Sequence, residues 1–161
     1  MAKNIFSAII FFVLTGFALQ AQVSRTQWKL STKKVSDCEY DLIFTVTIEK
    51  GWHTFSVVQL KGTEGEVFPT QIMFRPAKGY TLVGPVSETK PSPQYDETIS
   101  KTVYVHFNKV VYTQRVRLNA EGKVKISGTY ENQVCNDQKC ETPPSDKFDF
   151  DLVGTGACLK K

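Results

Sequence analysis

The residues best equipped for chemistry are four cysteines, Cys38, Cys135, Cys140 and Cys158. Cys135 and Cys140 enclose only Asn136-Asp137-Gln138-Lys139 and are followed by Pro143-Pro144. If the four intervening residues form a hairpin loop, the two cysteines face each other at its base. Opposed non-hydrogen-bonded residues of an antiparallel pair have Cα atoms about 4.5 Å apart. A disulfide spans roughly 4.4–6.8 Å. The pair can therefore bond with little backbone movement, and it can open without unfolding because strand ladders hold both ends. Such a pair suits thiol–disulfide exchange, which needs a thiolate that an incoming sulfur can reach. Lys139 favours a thiolate at Cys140, Asp137 and Glu141 oppose one, and Pro143-Pro144 stiffen the exit of the loop.

Four cysteines allow three pairings, and magnitudes separate them. A Cys135–Cys140 bridge closes a small ring and contributes about 2 kcal/mol by the chain-entropy model, whereas a Cys38–Cys158 bridge would enclose most of the chain and contribute roughly 5 kcal/mol. The preferred pairing is thus one long-range structural bridge and one short, exchangeable one, with the long bridge at the end of the fold away from the hairpin. Zinc sites favour C-x2-C knuckles with paired partners, and His53 and His106 are far apart in sequence. No metal or other cofactor is expected.

The compartment follows from the N-terminus. Lys3 precedes an apolar run from Ile5 to Phe17, and Ala18-Leu19-Gln20-Ala21 closes it with small residues at −3 and −1. This is the pattern of a secretory signal peptide over residues 1–21. The run is shorter than the roughly 20 residues that span a bilayer, so no transmembrane segment is expected. Export places the cysteines in an oxidising compartment, where paired sulfurs are the default. The formal charge of +4 falls to +3 without Lys3, and the charges are interspersed rather than clustered. Nucleic acid is therefore not an expected partner. Residues 22–161 have the size of one domain.

The elements that must position the thiols read as strands. Tyr40, Leu42, Phe44, Val46 and Ile48 alternate with more polar neighbours, and so do Val110–Leu118, Val124–Tyr130 and Phe148–Leu152. A period of two marks strands with one buried face, and Val, Ile, Thr, Tyr and Phe are the residues that strands prefer. Strands are expected near 27–35, 40–49, 52–58, 69–75, 79–87, 102–107, 109–118, 123–134 and 146–153, with no helix. Lys50-Gly51, Lys61-Gly62, Ala77-Lys78-Gly79, Gly84-Pro85 and Glu121-Gly122-Lys123 punctuate them as turns. Ser87–Ser100, with Pro91 and Pro93, reads as a long loop. The pattern predicts an all-β fold, an immunoglobulin-like antiparallel β-sandwich, with a barrel as the alternative.

Tyr130–Pro144, reading Y-E-N-Q-V-C-N-D-Q-K-C-E-T-P-P, is similar to the active-site hairpin of the N-terminal periplasmic domain of the thiol–disulfide interchange protein DsbD. Glu49–Phe55 resembles that family's aromatic segment after an early strand. Gly79-Tyr80 with Gly84-Pro85 resembles its next hairpin, Tyr95-Asp96-Glu97 the start of its cap loop, and Val110–Val116 a following strand with a Gln. The resemblance covers most of the chain after residue 21. It implies an immunoglobulin-like sandwich whose cysteine pair takes reducing equivalents from a membrane-embedded thiol carrier. The pair passes them to periplasmic thioredoxin-fold proteins through mixed disulfides. By the same resemblance Cys140 forms the mixed disulfides and Cys135 resolves them. Trp52 and Phe55 line the site, and the cap shields it. The family's aromatic cap position falls at Thr98 or Ile99, so shielding is expected from Ile99 or Tyr95. The family's full-length form continues into a transmembrane relay and a thioredoxin domain, so a stand-alone domain must borrow its electron donor.

The competing expectation is a non-catalytic exported binding or assembly domain with two inert disulfides. Trp52 and Phe55 would then be ordinary core aromatics. His53 could tune a thiolate but reads first as a solvated strand histidine. Asp96 and Glu97 read equally as loop solvation or as modulators of a cysteine.

Overall fold

The computed structural model describes residues 24–63 and 65–159; the expected signal peptide lies outside them. Among the described residues there are twelve strands. They are β1 (Thr26–Lys34), β2 (Glu39–Ile48), β3 (His53–Phe55), β4 (Gln71–Phe74), β5 (Tyr80–Glu88), β6 (Ser92–Asp96), β7 (Lys101–Phe107), β8 (Lys109–Leu118), β9 (Gly122–Glu131), β10 (Val134–Cys135), β11 (Cys140–Glu141) and β12 (Asp146–Gly154). All pairings are antiparallel. No described helix is long and apolar enough to cross a membrane.

The alternation along β2 sets the core. Leu42, Phe44, Val46 and Ile48 are buried, while Asp41 on the other face pairs with Arg115 of β8. The sheet β1-β2-β8-β5 packs its buried face on the sheet β12-β9-β4. Phe44 meets Phe148 and Phe150 edge-on at 5.1 and 5.4 Å, and Trp28 stacks on Tyr130 at 4.1 Å. Burying such aromatics edge to face is favourable beyond the area they remove from water. Gly128 lies where a Cβ would collide with the Met73 carbonyl and the Phe148 ring. Its lack of a side chain lets β4, β9 and the Phe148 ring approach. The result is an immunoglobulin-like β-sandwich.

A third sheet, β11-β10-β3-β7-β6, carries the thiol hairpin. It has its own small core of Phe55, Val103, Val105 and Cys135, on which Ile99 and Val67 pack. Buried polar groups tie this sheet to the sandwich. Thr54 Oγ1 donates to the Gln133 carbonyl at 2.8 Å, Asn132 Nδ2 donates to Thr54 Oγ1 at 3.2 Å, and Tyr112 OH donates to Thr70 Oγ1 at 3.2 Å. Glu88, at the end of β5, accepts from the Ser56 hydroxyl and the Val57 N–H and pairs with His106 Nε2 at 2.8 Å.

Several sequence expectations are corrected. Ser87–Ser100 is not one long loop: residues 92–96 form β6, paired with β7. Strand 123–134 breaks at Asn132-Gln133, which releases β10 from its sheet to pair with β3. Gly84-Pro85 lies within β5, at a shift of register between Val83 and Ser87, rather than between two strands. The buried Gln114 amide satisfies the carbonyls freed there, donating to Gly84 O at 3.1 Å. A short 3₁₀ turn, Gly156–Leu159, follows β12 where no helix was expected.

Candidate functional site: a cysteine pair at a hairpin tip

Val134 follows β9 and pairs with Thr54, which sets the register of everything after it. Cys135 then falls opposite His53 on one side and opposite Cys140 on the other. The turn between the cysteines is shaped by Asn136. Its Oδ1 accepts from the N–H groups of Gln138 and Lys139, both at 2.9 Å, and its own N–H donates to the Lys139 carbonyl at 2.9 Å. An Asn in this role is a local mimic of a backbone turn. Cys135 and Cys140 are disulfide-bonded, with Cα atoms 4.0 Å apart.

The two cysteines differ in access. Cys135 is buried, only 3% exposed, against Phe55, Val103 and Val105. Cys140 is exposed. Both border a cleft of about 480 Å³ walled by His53, residues 94–98, Val103 and the hairpin. A larger groove of about 790 Å³ lies between the start of β1 and Thr142–Asp146 but contains neither cysteine.

Charge holds the exit of the hairpin in place. Lys139 Nζ lies 2.7 Å from Glu141 Oε1, Arg25 Nε lies 3.4 Å from Glu141 Oε2, and Arg25 Nη1 lies 2.9 Å from Glu49. Arg25 and Lys139 both sit over the Trp52 ring, at 4.7 and 5.8 Å. The hydrogen bond from Lys139, aided by the Arg25 charge, holds the Glu141 carboxyl below the usual range. Burial lowers the proton affinity of His53, against the opposing pull of Asp96 and Asp137.

The expected site residues separate as follows. Tyr95, Asp96 and Glu97 line the cleft, and Tyr95 is exposed there. Ile99 packs on the small core beside Cys135. Asp96 Oδ1 accepts from the Thr98 N–H at 2.9 Å and shapes that loop. Phe55 packs under Cys135. Trp52 belongs instead to the main core and touches the hairpin through Lys139. Cys38 and Cys158 are bonded, with Cα atoms 5.3 Å apart. Their bridge joins the β1–β2 turn to the segment after β12, at the opposite end of β12 from the thiol hairpin. His53 is the residue that sequence reasoning undervalued. It is half-buried and in register with Cys135 rather than solvated. Its signal was its place directly after Trp52 in a three-residue strand, but only the β3–β10 pairing gives that place meaning.

No family model matches the sequence, and no curated protein does. Solved structures do. The N-terminal periplasmic domain of ScsB from Proteus mirabilis matches 83% of this chain with a TM-score of 0.51 and 14% identity, and this chain spans 49% of that one. The DsbD N-terminal domain of Neisseria meningitidis in its reduced form gives a TM-score of 0.45 and 16% identity over 79% of this chain and 86% of that one. The complex of the DsbD N-terminal domain with the PilB N-terminal domain, from the same organism, gives 0.47 and 16% over 86% of this chain and 91% of that one. On the ScsB likeness, the chain shares the fold of the N-terminal periplasmic domain of ScsB.

Proposed function

We propose that this chain is a periplasmic thiol–disulfide exchange module, an electron-transfer domain of the protein-disulfide-reductase type. Residues 1–21 serve as its signal peptide and residues 22–161 as the exported domain. It takes reducing equivalents from a membrane thiol carrier and passes them to thioredoxin-fold proteins through Cys135 and Cys140. The observation that carries this reading is the asymmetry of the pair: an exposed Cys140 bonded to a buried Cys135 beside an open cleft. An incoming sulfur meets Cys140 first. Cys135, held alongside by the hairpin register, is placed to close the bond again. Cys140 is thus the sulfur of the mixed disulfide and Cys135 the resolving one. Tyr95, Asp96, Glu97 and Ile99 form the cap over the pair, and Phe55 is its floor. Trp52, Arg25 and Glu141 hold the hairpin exit.

Equilibration through a glutathione redox series, with alkylation and mass readout, tests the reading. Cys135–Cys140 is expected to open at potentials above about −300 mV, where structural bridges stay closed. A pair that remains oxidised below that value would leave an exported, non-catalytic binding or assembly domain with two structural disulfides.

A further inference from the structure

We propose that His53 is the acid–base residue of the cysteine pair, taking the thiol proton of Cys135 when that sulfur attacks and returning it when that sulfur leaves. This rests on the exchange reading and adds a residue and a proton-transfer step to it.

The geometry is a row across three strands. His53 of β3, Cys135 of β10 and Cys140 of β11 stand directly opposite one another. Opposed residues of an antiparallel pair project to the same face, with Cβ atoms about 4.5–5.5 Å apart. The His53 and Cys135 side chains therefore project side by side from neighbouring strands, with His53 on the side away from Cys140. All three residues border the same cleft. Phe55 and Phe107 hold the imidazole between them, each with ring centroids 5.6 Å from it.

Cys135 needs such a neighbour. It is enclosed by Phe55, Val103 and Val105, where no solvent stabilises a thiolate. A base must be neutral to accept a proton, and burial favours the neutral form of His53. The charges that face it are few. Asp96 beside the cap and Asp137 of the hairpin pull the other way, Glu97 and Lys139 border the same cleft, and β7 places the apolar Phe107 opposite it.

The step balances as follows. It begins with a disulfide between Cys140 Sγ and a partner sulfur. His53 accepts the proton from the Cys135 thiol, and the Cys135 sulfur forms a bond to Cys140 Sγ. The bond from Cys140 to the partner breaks, and its electron pair leaves on the partner sulfur as a thiolate. That thiolate takes its proton from solvent or from His53. Two electrons have then passed from the Cys135/Cys140 dithiol to the partner's disulfide. In the reverse direction a thiolate attacks Cys140, and protonated His53 gives its proton to the departing Cys135 sulfur.

The test uses the protein with Cys135–Cys140 reduced and Cys38–Cys158 intact, mixed with one equivalent of dithiobis(nitrobenzoate). Cys140 captures the reagent in a first phase, releasing thionitrobenzoate. Cys135 closes the ring in a second phase, releasing the other half. General acid–base catalysis contributes about 10²–10⁴-fold, so His53→Phe is expected to slow the second phase at least about tenfold near pH 7 and leave the first unchanged. The wild-type second phase should level off at a pH below the ordinary histidine value of about 6.5. In the variant it should keep climbing through the alkaline range, past the ordinary thiol value of about 8.5, because the enclosed thiol has no base to take its proton. His53→Gln, polar but without a titrating ring, should behave as His53→Phe does, and it decides the matter if His53→Phe does not fold. Both variants closing at the wild-type rate with the wild-type pH profile would overturn the proposal. So would equal slowing of both phases, which would place His53 on Cys140. Absence of either phase in the wild-type protein would instead refute the exchange reading, and the proposal with it.

Discussion

At the scale of single residues, what distinguishes this site is inequality between two otherwise identical side chains. Cys135 faces inward because its strand position alternates into the small core with Phe55 and Val105, and Cys140 faces solvent because β11 is the outer strand of its sheet. Access, together with thiolate character, decides which sulfur an incoming disulfide meets. The consequence is directional. With Cys135→Ser, Cys140 should capture a thioredoxin-fold partner as a stable mixed disulfide, visible as a reductant-sensitive adduct on gels and by mass. Cys140→Ser should give little or none. Capture by Cys140→Ser alone would reverse the two roles.

At the scale of elements, the short β3 matters most. It is three residues long, yet it pairs with β10 on one side and β7 on the other. So small a strand needs help from its flanks. Glu88 supplies it, joining the end of β5 to Ser56 and Val57 just after β3 and to His106 of β7. Burial alone would raise the Glu88 carboxyl, but the hydrogen bonds from His106, Ser56 and Val57 outweigh it and hold the group below its ordinary value of 4.5. A carboxyl depressed in the folded state stabilises the fold above its unfolded value. That contribution disappears as the pH falls through the lower folded value. Glu88→Gln should therefore cost about 2–4 kcal/mol at neutral pH in urea unfolding. The gap from wild type should close in the acid range below about pH 4. A gap that did not change with pH would show that the ionised form of Glu88 is not what holds β3.

At the scale of the whole molecule, the two disulfides differ in how much chain they close. Cys38–Cys158 spans 120 residues of sequence and Cys135–Cys140 spans 5. By chain entropy the first stabilises the fold by roughly 5 kcal/mol and the second by about 2 kcal/mol. The long bridge and the thiol hairpin lie at opposite ends of the sandwich, so opening one does not load the other. Replacing Cys38 and Cys158 together by Ser should lower the thermal midpoint by on the order of 10–20 °C and leave the redox equilibrium of Cys135–Cys140 in place. Reducing Cys135–Cys140 alone should keep the cooperative transition and shift it far less. A shift larger than that from losing the long bridge would make the hairpin disulfide a structural one.

What was legible in the sequence was whatever depends on neighbours along the chain. The alternation from Tyr40 to Ile48 and from Phe148 to Leu152 defines strands and their buried faces, because side chains on a strand must point to opposite sides in turn. The spacing of Cys135 and Cys140, with Asn136 between them, was enough to place two sulfurs at the base of a hairpin. The magnitude of loop closure also separated the long bridge from the short one. Tertiary structure alone decided how short strands were shared among sheets. Residues 92–96 pair with β7 despite Pro93, and Asn132-Gln133 breaks a continuous alternation so that β10 can join β3. The same pairing turned His53 from an apparent surface histidine into the neighbour of Cys135, and core packing decided that Trp52 sits in the main core with Lys139 of the hairpin over its ring. The physical reason is register. Contacts across strands are set by hydrogen bonds between segments about 80 residues apart, such as Thr54 and Gln133, and the local pattern of either segment carries no record of the partner it will meet.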